Sequence, residues 1–177
     1  MHQNESRHDS SSVGKARLYP LMGTLSPDMK RLVEEQRLGF YATVNEDGSP
    51  NLSPKGSTFV LDDDHLFFAD YRSPQTVENI RRGSLVELNV VDPLSRKGYR
   101  FKGPALVHEP GSELFGRCVA ELVAAGSTLA DRARNIVVVE VREARPVVSP
   151  VYDDGTVSEA EVVRIYRERL AAIQRGA

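Results

Sequence analysis

Apolar residues recur along this chain with two periods, and each period marks a kind of element. Ser26-Pro27 opens a short helix, serine as N-cap and proline at the first helical position; Leu32 and Val33 supply its apolar face, and it ends before Gly39. From Leu38 the spacing changes. LGFYATVN is rich in β-branched and aromatic residues and reads as a strand. Glu46-Asp47-Gly48-Ser49-Pro50 is a turn, because Asp-Gly supplies a positive-φ position. Asn51 to Leu61 is a second strand, interrupted by Pro54 and Gly56, and Asp62-Asp63-Asp64 turns it into a third, Leu66 to Ala69. Ser73-Pro74 repeats the helix-opening signal, with Val77 and Ile80 on one face and Gly83 as the stop.

Leu85 to Val91 alternates as a fourth strand, and Tyr99 to His108 is a fifth, where Gly103 and Pro104 suggest a bulge or barrel corner. Pro110-Gly111-Ser112 leads into a helix with Leu114, Phe115, Cys118, Val119 and Leu122 at helical spacing; a further helical turn is predicted over Thr128 to Arg134. Ile136 to Val141 is a sixth strand, apolar enough to be central. Ser158 and Glu161 form a capping box ahead of Val162, Ile165, Tyr166, Leu170 and Ile173. The predicted class is mainly β with peripheral helices: a small barrel of six antiparallel strands and a C-terminal helix. The divisions are a polar, disordered tail over 1–17, a barrel domain over 18–155 and the terminal helix within 156–177.

Composition narrows the function. The 177 residues carry 23 Lys plus Arg against 25 Asp plus Glu, a net charge of −2, which argues against nucleic-acid binding. A single cysteine, Cys118, cannot form an internal disulfide, and no run of apolar residues is long enough to span a membrane. The N-terminus lacks the apolar stretch of a signal peptide, so a cytoplasmic protein is expected. The near-neutral total hides an asymmetry. From Arg72 to Lys102 seven basic residues face three acidic ones, a local excess of +4. That excess is either a solvated face or an anion site.

No His, Cys and Asp spacing resembles a metal centre. The aspartate run at 62–64 lacks the glycine and distal glutamate of a calcium loop, and Cys118 lies on an apolar helix face, as a core thiol does. No glycine-rich strand–helix loop carries a dinucleotide or P-loop fingerprint. One constellation stands out. A strand runs into Asp70-Tyr71-Arg72-Ser73-Pro74-Gln75-Thr76, where a helix begins. A helix N-terminus offers unpaired N–H groups, Ser73 and Thr76 offer hydroxyls, and the Arg72 guanidinium matches a phosphate. The plainer reading is a capped helix with a surface arginine. Lys55 is a second cation that could converge there, and Gly56 would let a flat ligand approach the backbone.

The order LGFYATVNEDGSPNLSPKGSTFVLDDDHLFFADYRSPQTVENIRRGSLVELNVVD, followed by RKGYRFKGPALV, resembles the pyridoxamine 5′-phosphate oxidase-like family, the FMN-binding split barrels, over about residues 20–145. The resemblance implies a split-barrel homodimer with FMN at the subunit interface. The family's phosphate-binding serine and the basic residue after it fall near Ser73 and Thr76. The basic residue is replaced here, which leaves Arg72 to supply the charge. The family's arginine falls near Lys55, with Ser57 and Thr58 beside the ring and Asn79 in the helix. Arg100 and Lys102 fall on the strand that pairs across the dimer. The chain lacks the basic Arg-Leu-x-Pro ending of true pyridoxamine phosphate oxidases, so vitamin B6 oxidation is not expected. The implied activity is an FMN-dependent oxidoreductase that takes hydride at flavin N5 from a small-molecule substrate or electron donor. No residue stands out as a general acid or base, which suits chemistry carried by the cofactor. The alternatives are a deazaflavin, or haem with His65 or His108 as axial ligand, on the same barrel, or a non-enzymatic flavin store or redox sensor.

Overall fold

A computed structural model describes residues 24–176. The tail predicted over 1–17 lies outside the described residues. Helix α1 (Pro27–Gln36) precedes β1 (Gly39–Val44), β2 (Pro50–Lys55), β3 (Thr58–Val60) and β4 (His65–Asp70). Helix α2 (Pro74–Arg81) leads to β5 (Val86–Asp92), β6 (Lys97–Gly103) and β7 (Ala105–His108). Helix α3 (Glu113–Ala124), β8 (Asn135–Glu140), β9 (Glu143–Val148) and α4 (Glu159–Arg175) complete the order.

The strands form two antiparallel sheets, β2-β1-β5-β6-β9 and β3-β4-β8-β7. Between them lies one core: Tyr41, Leu88, Val90 and Phe101 from the first sheet meet Leu66, Phe68, Val137 and Val139 from the second. Leu32 and Val33 of α1 and Val77 and Ile80 of α2 join the same cluster. Phe67, Ala69, Ile136 and Val138 point the opposite way, into a second cluster with Cys118 and Leu122 of α3. The four-stranded sheet is thus buried on both faces, which is why the middle of β8 is an unbroken apolar run. In the five-stranded sheet β5 alternates buried and accessible positions, as a strand with one covered face must.

Among the described residues the barrel has nine strands rather than six. The predicted strand 51–61 breaks after Lys55, so that β2 ends in one sheet and β3 begins in the other. The strand predicted over 99–108 breaks at Pro104, which has no N–H to give a ladder; β6 and β7 lie in different sheets. At this corner a Cβ on Gly103 would stand 1.8 Å from the carbonyl oxygen of Glu140, so only glycine fits. The ninth strand, β9, was not anticipated. It is an exposed edge strand whose Pro146 breaks the usual strand pattern, and edges are where proline is tolerated. The helical turn expected over 128–134 is a single 3-10 turn, Ala130–Arg132.

Candidate functional site

The end of β2, the end of β4 and the start of α2 meet at a cavity of about 340 Å³, lined by Lys55, Gly56, Ser57, Tyr71, Arg72 and Ser73 among others. Five of the predicted residues are brought together here. Lys55 is its centre. The side chain is nearly covered, and its ammonium donates to Ser53 Oγ and, at 2.6 Å, to Ser73 Oγ. Burial pulls its pKa below the ordinary lysine value, against the opposing pull of the Asp70 carboxylate. Ser53 and Lys55 share a strand face because they are two residues apart.

Asp70 holds the loop. Its carboxylate accepts the Ser73 N–H at 2.8 Å and the Asn135 side-chain amide at 3.0 Å, and it is 3% exposed. Ser73 does not cap α2 with its side chain, because that hydroxyl faces Lys55 instead. Among the described residues the first-turn N–H groups of α2 are therefore left without a side-chain partner. Pro74 at the first helical position has no N–H to lose. Arg72 is exposed and has no carboxylate within ion-pair distance among the described residues. The Tyr71 hydroxyl is buried at the same cavity with no hydrogen-bond partner.

A second cavity of about 320 Å³ shares Gly56 and Ser57 with the first and is bounded by Arg37, Phe59 and Leu122. A Cβ on Gly56 would meet nothing within 4 Å, so the backbone there faces open space. Ser57 is stitched to β4, accepting from Ala69 N at 3.1 Å and donating to Ala69 O at 3.2 Å. The combined trough offers cations and hydroxyls at one end and an apolar wall at the other. An anionic head with a flat body matches it, and the residues present fit FMN in that respect.

Several predicted residues stand elsewhere. Thr58 is fully buried; it accepts from Tyr41 at 3.2 Å and donates to the Lys55 carbonyl, so its side chain serves the barrel interior. Thr76 is turned inward, accepting from the Asn51 amide at 3.1 Å, and gives the cavity no hydroxyl. Asn79 is fully buried. Its amide donates to Thr43 and Asn45, which pins α2 against β1, and its oxygen accepts from Gln75 and Arg82 of α2 and its C-cap, so every group is committed. Arg100 and Lys102 are exposed and pair with Glu87 at 3.2 and 3.4 Å, outside the cavity. Strand β6 is flanked by β5 and β9, so both of its edges are hydrogen-bonded within the chain.

The local excess of positive charge dissolves in the same way. Arg81, Arg82, Lys97, Arg100 and Lys102 are each within reach of a carboxylate, and Arg96 stacks over the Tyr166 ring. Only Arg72 of that segment serves the cavity. Sequence reasoning missed Ser53, Asp70 and Tyr71. The two-residue spacing of Ser53 from Lys55 was the available signal for the first; Asp70 and Tyr71 needed the strand end to be placed in space.

His65 and His108 line one further cavity of about 560 Å³, where His65 Nδ1 lies 2.8 Å from Asp62 Oδ1. Cys118 is buried, and burial pushes its thiol up to about 11, away from nucleophilic chemistry. Among the described residues, no three of His, Cys, Asp or Glu gather where a metal ion could be held. No helix there is long and apolar enough to cross a membrane.

Comparison with solved structures finds this barrel elsewhere. A protein from Lactobacillus delbrueckii, provisionally named a pyridoxamine 5′-phosphate oxidase, is 30% identical, with 69% of this chain and 93% of that one covered and a TM-score of 0.57. HupZ from Group A Streptococcus is 27% identical, covering 70% and 94% with a TM-score of 0.61. An FMN-binding protein from Syntrophomonas wolfei, at 17% identity, shares the fold over 68% and 84% with a TM-score of 0.57. No curated protein sequence matches the chain. The family described as Pyridoxamine 5′-phosphate oxidase matches residues 25–148, most of the chain, and the protein with its split barrel belongs to that family.

Proposed function

We propose that this protein binds FMN in the trough at Lys55, Gly56 and Ser73 and acts as an FMN-dependent oxidoreductase. The observation that carries the reading is Lys55, an ammonium held under cover between two serine hydroxyls and beside the open start of α2. A covered cation flanked by hydroxyls binds phosphate more strongly than a solvated one, because charge-assisted bonds strengthen as water is excluded. Arg72 closes the phosphate from the solvent side, and Gly56 lets the flat ring lie against the backbone. When bound, FMN supplies hydride and electron transfer, and the protein supplies position and field.

The same reading includes a second copy of the chain. The outer face of the five-stranded sheet carries exposed Phe40, Val44 and Leu52, with Leu85 beside β5 also exposed. Such a patch suits a self-complementary dimer contact. A dimer would give the flat ligand a second wall.

The test is an FMN titration of the purified protein, followed by absorbance and flavin fluorescence. Binding with yellow colour is the expected result, and Arg72→Ala should weaken it by about 1.5–3 kcal/mol, the size of a charged hydrogen bond. A colourless protein that does not quench FMN fluorescence ends the flavin reading. A Soret band would replace FMN by haem. Tight FMN binding without turnover of any nicotinamide donor would make the protein a flavin store or sensor rather than an enzyme.

A further inference from the structure

The 560 Å³ cavity at the N-terminal end of α3 shares no lining residue with the flavin trough. Its volume falls within the roughly 300–1,000 Å³ of small-molecule sites. The wall is apolar: Leu61, Leu106, Leu114 and Val138 line it, and Leu106 is 68% exposed although it sits on a strand. That face of the four-stranded sheet is covered by α3 further along, where Cys118 and Leu122 pack on Phe67 and Ile136. The cavity is where the cover stops.

The charges at the rim are not equivalent. Glu140 is committed through both oxygens and Asp62 through one. Asp62 Oδ1 accepts from Asp64 N, from His65 N and lies 2.8 Å from His65 Nδ1. Both oxygens of Glu140 are held by Arg142, through Nε and Nη2, each at 3.1 Å. The cations are not committed to the same degree. Arg142 keeps its Nη1 group, and Arg117 has neither a carboxylate within ion-pair distance nor a side-chain hydrogen bond among the described residues. The His108 ring has no hydrogen-bond partner there either. The lining's two carboxylates and two guanidiniums balance in formal charge, and Glu140 is offset by Arg142; the unpaired Arg117 guanidinium can hold an anion with two parallel N–H bonds.

We infer that this cavity is a second ligand site, for a small carboxylic acid with an apolar body: the chain or ring lies on Leu61, Leu106 and Val138, and the carboxylate meets Arg117. The inference goes beyond the flavin reading and does not rest on it. Uncharged apolar molecules lose the guanidinium bond, and small polar acids lose the wall, so the site selects for both properties together.

The experiment is calorimetric titration of the full-length protein, saturated with FMN where it binds, using octanoate, 1-octanol and acetate as probes. Octanoate should bind at least tenfold more tightly than either of the others. Arg117→Gln should erase that advantage over 1-octanol, and Leu106→Asn should weaken both eight-carbon probes, with FMN affinity unchanged in both variants. Equal binding of octanoate and 1-octanol, or octanoate binding that ignores both substitutions, overturns the inference. So does a dimer that Leu106→Asn splits in sedimentation, because the face would then be a contact between copies. Loss of FMN binding in the unsubstituted protein bears only on the flavin reading.

Discussion

Lys55 and the pair Arg100 and Lys102 are cations on neighbouring parts of one barrel, yet their surroundings are opposite. Lys55 is covered, touches two hydroxyls and has a carboxylate near enough to act through space. Arg100 and Lys102 stand on an open sheet face, about half exposed, and share one partly exposed glutamate, Glu87. Exposed ion pairs contribute about 0–1 kcal/mol, because water and salt already stabilise each charge. A covered cation is held at a cost and can return that cost to a ligand that supplies the missing negative charge. Charge alone therefore does not mark a site; cover and hydroxyl partners do.

The β6 region is strict where the lysine site is tolerant. Its shape is fixed at Gly103, against the Glu140 carbonyl. Gly103→Ala should lower stability by about 3 kcal/mol through forced backbone shifts, measured by urea denaturation. A variant within experimental error of the parent would mean that the corner can relax and that β6 is not constrained by shape.

Next in size is Lys55→Met. It should remove most FMN affinity, by about 1.5–3 kcal/mol, while leaving the urea midpoint equal or higher, since a covered charge is replaced by an apolar chain. Unchanged affinity would place the phosphate elsewhere and dissolve the contrast with Arg100. The pH profile sharpens the same point. The lysine pKa is lowered in the fold. FMN affinity should then fall as pH rises through that lowered value, before an ordinary lysine titrates. Stability should change in the opposite sense, because the unfolded chain binds more protons in the window between the lowered and the ordinary value. Parallel slopes, read by fluorescence titration and by denaturation at the same pH values, would contradict the assignment.

The smallest effect belongs to Arg100→Ala combined with Lys102→Ala. Stability should change by less than about 1 kcal/mol and FMN affinity by less than about twofold. A tenfold loss of affinity would show that these side chains reach a flavin held partly by another copy, and the comparison would have to be redrawn around a dimer.

Much of this was legible in the chain. Ser26-Pro27 and Ser73-Pro74 opened helices where the structure has them, and the alternation of Val86, Leu88 and Val90 placed β5 correctly. The break at Gly56 was visible as an interruption, but a sequence does not say that the chain changes sheets there. Strand β9 was hidden because an exposed edge needs no apolar alternation. Lys55, Gly56, Ser57, Arg72 and Ser73, singled out by residue type, order and resemblance, line one cavity. The side chains of Thr76 and Asn79 bond to β1, β2 and Asn45 instead of lining that cavity; a polar residue in a short helix reads the same in sequence whether it faces a ligand or a neighbouring strand.

The sequence by itself determined most of the strands and helices, though not β9, and that two punctuated strands would be interrupted or bulged. Local sterics and periodicity act over a few residues, so they are written locally. The tertiary structure decided which polar groups remain available. Hydrogen-bond partners such as Asn51 for Thr76 and Thr43 for Asn79 lie 25 and 36 positions away along the chain. Only packing the two sheets around one core brings those partners to hand, and it leaves Lys55 covered and paired with hydroxyls.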